Sequence, residues 1–191
     1  MGASGATTGE DGGEKRMAQP ESYEDYTARI ASYVAGRDPM RMLRAAPGKL
    51  ERMVAGVSRG RLTRPPAPGK WSVGEILAHL SEIELLWGYR VRTMLEREDP
   101  EIVGMDQEVW ARVGRYAQRD PRASLGLYSA LRRSHVALLG GLSAKDRARG
   151  GRHSQFGRLT IDGIARLLAG HDVNHTRQIE AILGKPSRRA R

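Results

Sequence analysis

The sequence predicts an all-α fold, a bundle of four principal helices. Apolar residues recur at steps of three and four over most of the chain, and almost nothing alternates with the period of two that a half-buried strand needs. The periodic stretches are also bounded by residues that start or stop helices. With 191 residues, one domain has enough chain to bury a core without staples. No repeat of solenoid length is present.

Residues 1–20 are small, polar and glycine-rich, which predicts a disordered N-terminal tail ahead of a bundle domain over 21–184. Tyr26, Ile30, Tyr33 and Val34 predict a short helix over 23–35, and Leu43, Leu50, Met53 and Val54 a second segment over 38–58, which Pro47 should kink or split. Arg61 to Lys70 holds three prolines and a glycine and reads as an extended loop. Ser72-Val73-Gly74-Glu75 is a capping box opening a helix to about Glu98, whose inward row is Ile76, His79, Ile83 and Leu86, widened by Leu80 and Trp87. Residues 99–119 form a connection with a short extra helix near Gln107–Val113. Asp120 and Pro121 are the cap and first residue of a helix striped by Leu125, Tyr128, Leu131, His135, Leu138 and Leu142. Ser143 can cap a further turn, and Gly150 to Arg158 is a polar, hairpin-like loop. The last helix starts at the cap Thr160 and stops at Leu183 before Gly184 and Pro186, with Ile161, Ile164, Leu168, His171, His175, Ile179 and Ile182 inward. Residues 185–191 are a basic tail.

Composition narrows the function. There is no cysteine, so disulfides, thiolate zinc sites and a protein thiol nucleophile are excluded together. The net charge of +10 comes partly from Lys185, Arg188, Arg189 and Arg191; the rest is arginine scattered through helices. Few aromatic residues interleave with it, so a nucleic-acid partner is disfavoured. No apolar run approaches a membrane span, and the first residues lack a signal-peptide layout, which points to a cytoplasmic protein without a membrane partner.

His171 and His175 lie four apart on an otherwise apolar helix face, where two imidazoles are costly unless something satisfies them. A divalent cation of the zinc or nickel type accepts neutral imidazole, and His79 on a second helix is a natural third ligand. Three ligands leave a coordination position open, as a catalytic site requires. The pair lacks the glutamate of the zinc-protease helix, which disfavours proteolysis.

Gly69 through Leu80 resembles the second-helix signature of the DinB/YfiT-like superfamily, and Thr160-Ile161 with Gly170-His171-Asp172-Val173-Asn174-His175 and Gln178-Ile179 resembles its fourth-helix signature. Asp106 to Trp110 in the crossover is similar too. The resemblance implies an up-up-down-down bundle, often a homodimer, with a metal held by His79, His171 and His175 at one end of the core. It also implies a small-molecule substrate: some members are transferases using a low-molecular-weight thiol, others are presumed hydrolases.

Two weaker catalytic candidates stand beside the triad. Glu82, one turn after His79, could orient an imidazole or act as a base, and His135 on the third stripe could approach the pocket; a solvated acid and a hydrogen-bonded core histidine are the plainer readings. Glu75 is explained by its capping role. Asp172 and Asn174 should point away from the histidine face into solvated or interhelical positions, and His153 should lie at the surface. An open metal position permits thiol transfer, favoured by the resemblance, or hydrolysis by activated water. A non-catalytic bundle that binds a ligand or partner is the third reading. The scattered arginines suit a carboxylated thiol.

Overall fold

The computed structural model describes residues 21–154 and 157–184, so the tails expected at 1–20 and 185–191 lie outside the described residues. Eight α-helices are present among them: α1 (Tyr23–Ser32), α2 (Pro39–Val54), α3 (Arg59–Thr63), α4 (Val73–Glu96), α5 (Gln107–Val113), α6 (Pro121–Gly141), α7 (Ala144–Arg147) and α8 (Ile161–Ile182). The bundle is built from α2, α4, α6 and α8. Its packed neighbours are α4 with α6, α6 with α2, α2 with α8, and α8 with α4. The chain-consecutive helices α2 and α4 thus lie across a diagonal, as do α6 and α8, which is how an up-up-down-down chain closes a bundle. Helix α1 lies along α8.

Local chemistry sets most helix boundaries. Ser72 and Glu75 form the capping box at the start of α4, Asp106 caps α5, Asp120 with Pro121 opens α6, Ser143 caps α7, and Thr160 caps α8 through Gly163 N–H. Gly184 follows α8 with φ +65°, a left-handed residue that stops the helix.

Two expectations change and a third is made definite. Helix α2 runs through Pro47 without splitting, with Pro47 itself buried. The loop from Arg61 begins inside α3, because Ser58 caps a short helix there by accepting from Arg61 N–H. The hairpin-like excursion is a real hairpin, β2 (Gly150–His153) antiparallel to β3 (Gly157–Thr160), and β1 (Glu101–Ile102) joins β2 in parallel. Gly150 and Gly151 fit this sheet because a Cβ on either would meet backbone oxygen at 2.5 Å.

Two apolar clusters form the core. One gathers Val34, Leu43, Trp87, Met94, Leu139, Ile161 and Leu168; the other gathers Leu50, Leu62, Leu77, Leu80, Leu125, Tyr128 and Ile179. A buried polar layer separates them. Arg132 on α6 donates to Asp172 of α8 and, at 2.6 Å, to Glu84 of α4. Tyr128 Oη–H donates to Asp172 at 3.1 Å, and His135 Nδ1 lies 2.8 Å from the other Glu84 oxygen. Isolated charges would not survive there; one guanidinium shared between two carboxylates makes burial tolerable.

Candidate metal centre

His79 comes from α4, His171 and His175 from α8, and their rings converge. His171 Nε2 lies 3.1 Å from His79 Nε2 and 3.0 Å from His175 Nε2. One donor atom from each of the three falls within 4.8 Å of the others. On α8 the pair follows Ala169 of one apolar cluster and precedes Ile179 of the other. The i, i+4 spacing supplies two rings, and the inward phase fixed by the capping box supplies the third.

Burial holds all three imidazoles neutral. It pushes His79 and His171 well below the usual histidine range, helped by the neighbouring rings, and it lowers His175 to about 4 against the opposing bond from Gln178. His175 Nδ1–H donates to Gln178 Oε1 at 2.8 Å, so its Nε2 presents a lone pair to the cluster. A neutral His171 Nε2 carries either one proton or one lone pair, so it satisfies only one of its two short contacts. A cation facing three lone pairs satisfies all of them. The 3.0 and 3.1 Å edges also match nitrogens placed about 2.9–3.4 Å apart around one ion at normal zinc–imidazole distance. The residues fit a divalent metal. Nδ1 of His79 and of His171 find no hydrogen-bond partner among the described residues.

Two cavities flank the cluster and differ in chemistry. The first, of about 640 Å³, reaches His175 and is lined by Glu21, Arg29, Lys70, Asn174 and Gln178 among others. The second, of about 390 Å³, reaches His79 and His171 between Ile83, Trp87, Met105 and Leu167, with Arg90 and His153 on its wall. Glu21, Tyr26 and Gln107 border both. Trp71 packs over His79 with ring centroids 5.0 Å apart, and Tyr116 meets Trp71 edge-on.

The other singled-out residues sort by contact. Glu82 is in an ion pair with Arg119 at 2.6 Å and lines neither cavity. His135 belongs to the buried polar layer, its ring against Gly88, whose added Cβ would stand 2.2 Å from His135 Nε2. Glu75 makes its capping contacts to Ser72. Asp172 and Asn174 are not solvated: both are buried, Asp172 on Arg132 and Asn174 accepting from Arg29 on α1 at 2.6 Å. His153 is buried rather than at the surface, because strand β2 turns its side chain toward the second cavity. Sequence reading missed Glu84, Arg132 and Arg29. The signal for the first two was available: Glu84 stands between Leu80 and Trp87, and Arg132 between Tyr128 and His135, at helical spacing on inward stripes.

The chain belongs to the DinB superfamily, whose family model matches residues 42–179. Among its relatives is "Putative metal-dependent hydrolase YfiT" of Bacillus subtilis, 26% identical over 144 residues, covering 75% of this chain and 81% of that protein. A second protein named as a metal-dependent hydrolase of the same "putative" kind, from Oceanobacillus iheyensis, is 26% identical over 136 residues, 71% of this chain and 78% of its own length. The solved structure of YfiT from Bacillus subtilis, described as "a probable metal-dependent hydrolase with an unusual four-helix bundle topology", superposes with a TM-score of 0.69 at 23% identity, over 88% of this chain and 93% of that one. That likeness confirms the bundle.

Proposed function

We propose that this protein is an enzyme that holds a divalent metal ion, zinc or nickel, on His79, His171 and His175, and that it transfers a low-molecular-weight thiol to a small electrophile. The single observation behind the proposal is the convergence of three neutral imidazoles, His171 Nε2 lying 3.0 Å from that of His175 and 3.1 Å from that of His79, between two cavities. Bound there, the ion would supply positive charge that favours thiolate over thiol near neutral pH. The unlike cavities support a two-substrate reaction: polar walls beside His175 suit the thiol, apolar walls beside His79 and His171 the electrophile. A sulfur–carbon bond forms, the bond from carbon to its leaving group breaks with the electron pair, and the thiol proton passes to solvent. Glu82 and His135, each held by another partner, are not assigned the base. A homodimer in the cytoplasm completes the proposal.

Hydrolysis by activated water is the second reading, favoured by the names of the relatives. Metal analysis of the purified protein, followed by conjugation of a fluorogenic alkyl chloride to a panel of thiols and by hydrolysis of nitrophenyl esters, separates the readings. Metal-dependent product that requires thiol supports transfer, and ester hydrolysis without thiol supports the second reading. Failure to bind any divalent metal overturns both and leaves a non-catalytic binding bundle.

A further inference from the structure

Arg29 lies on the wall of the larger cavity and is held from three sides. Its Nε and Nη2 both donate at 2.7 Å to the two carboxylate oxygens of Glu21, a fork-on-fork pair. Its Nη1 donates at 2.6 Å to Oδ1 of Asn174, the residue before His175, and at 3.2 Å to the Tyr33 hydroxyl. Asn174 is on helix α8 and Tyr33 is the C-cap of α1, while the third partner, Glu21, sits just ahead of α1. Asn174 and Tyr33 both hold Nη1, the guanidinium nitrogen that Glu21 does not contact. Glu21 borders both cavities, and the pair is partly exposed, 36% for the arginine side chain and 39% for the glutamate.

We propose that Arg29 is a carboxylate subsite of the larger cavity, and that the Glu21 carboxylate is an internal stand-in which the carboxylate of a small thiol displaces. The inference rests on the reading of the histidine cluster as a metal site with a thiol beside it. The planar fork suits a carboxylate bidentately, and a partly exposed pair is weak enough to be exchanged. The anchor at Asn174 ties the subsite to the helix that carries His171 and His175, so a ligand fixed by its carboxylate on Arg29 is held beside the histidine cluster. Exchange of one carboxylate for another leaves the local charge unchanged.

The test compares two probes, N-acetylcysteine and N-acetylcysteamine, which share the thiol and the amide but differ in the carboxylate. Each is titrated calorimetrically into the zinc-loaded protein, with zinc content measured for every variant. Wild type is expected to bind N-acetylcysteine more tightly. Arg29→Gln should weaken N-acetylcysteine by roughly tenfold and leave N-acetylcysteamine unchanged. Glu21→Gln should act in the opposite direction, tightening N-acetylcysteine several-fold, because the competing carboxylate is gone. Equal affinity for the two probes in wild type, or a Glu21→Gln variant that binds N-acetylcysteine no better, overturns the subsite while one zinc per chain leaves the metal reading standing. A wild type that takes up no zinc overturns both.

Discussion

Each ring nitrogen of the histidine cluster has one donor or acceptor role to offer, and that limit is what makes the cluster informative. His171 stands between His79 and His175 and touches both, so it is the member whose loss should matter most. His171→Ala is expected to bind no stoichiometric zinc or nickel by mass-spectrometric metal analysis while its far-UV circular dichroism stays that of wild type. Retention of a full equivalent of metal would remove His171 from the ligand set. Gln178→Ala is the milder case: it frees His175 Nδ1 and should weaken metal binding by roughly 10–100-fold without abolishing it, as seen when a partner that orients a ligand is removed. A competition titration with a chromogenic chelator reads the difference. At this scale the triad was legible in the sequence, because i, i+4 spacing and helix phase are local properties. Arg29 was not, since its meaning depends on which helix faces it, and His153 was misplaced because a four-residue strand gives too few positions to show alternation.

Helices dock here through particular close approaches. Gly170 of α8 faces the backbone of α1, and a Cβ there would stand 2.3 Å from the Ile30 carbonyl oxygen. Backbone cannot swing aside as a flexible side chain can, so Gly170→Ala is expected to push α1 off α8 and cost about 1–3 kcal/mol in urea unfolding. A cost near zero would mean that α1 is loosely held. The polar layer joins α4, α6 and α8 in a stronger way. Arg132→Met would leave Glu84 and Asp172 buried without their shared cation, and the expected loss is about 3–5 kcal/mol by the same measurement. Burial raises Glu84, but Arg132 and His135 outweigh it and hold the carboxyl below its usual value, whereas at Asp172 burial prevails and the carboxyl stays raised. The helices themselves could be read in advance because Ser72, Asp106, Asp120, Ser143 and Thr160 cap them within three residues of chain. Of the three-stranded sheet only the hairpin-like stretch was legible, since β1 has two residues and β2 opens on two glycines, and α3 was hidden because its five residues run directly into a proline-rich stretch.

Taken as a whole, the molecule places a small buried charge group and its histidine cluster between two apolar clusters, so its stability is coupled to protonation of groups that the fold keeps neutral. His175 shows the sign. Its folded value is about 4, below the 6.5 of the unfolded chain, and His79 and His171 are lowered in the same direction. As pH falls below 6.5 the unfolded chain takes up protons first. The stability contributed by these rings is therefore complete above about pH 6.5 and is lost progressively toward pH 4. For His175 alone the shift corresponds to roughly 3 kcal/mol across that window. Metal-free wild type should accordingly lose thermal stability between pH 7 and pH 4 more steeply than metal-free His175→Gln, whose side chain does not titrate. Bound metal acts in the same direction: it needs neutral imidazoles and binds the folded state alone, so the Tm gain from added zinc should be large at pH 7 and should vanish as pH approaches 4. Parallel pH profiles for wild type and His175→Gln, each scanned by calorimetry with and without zinc, check both halves. Identical slopes in the metal-free pair would show that His175 is not held neutral by the fold. A zinc effect independent of pH would show that the ion binds somewhere other than the three imidazoles.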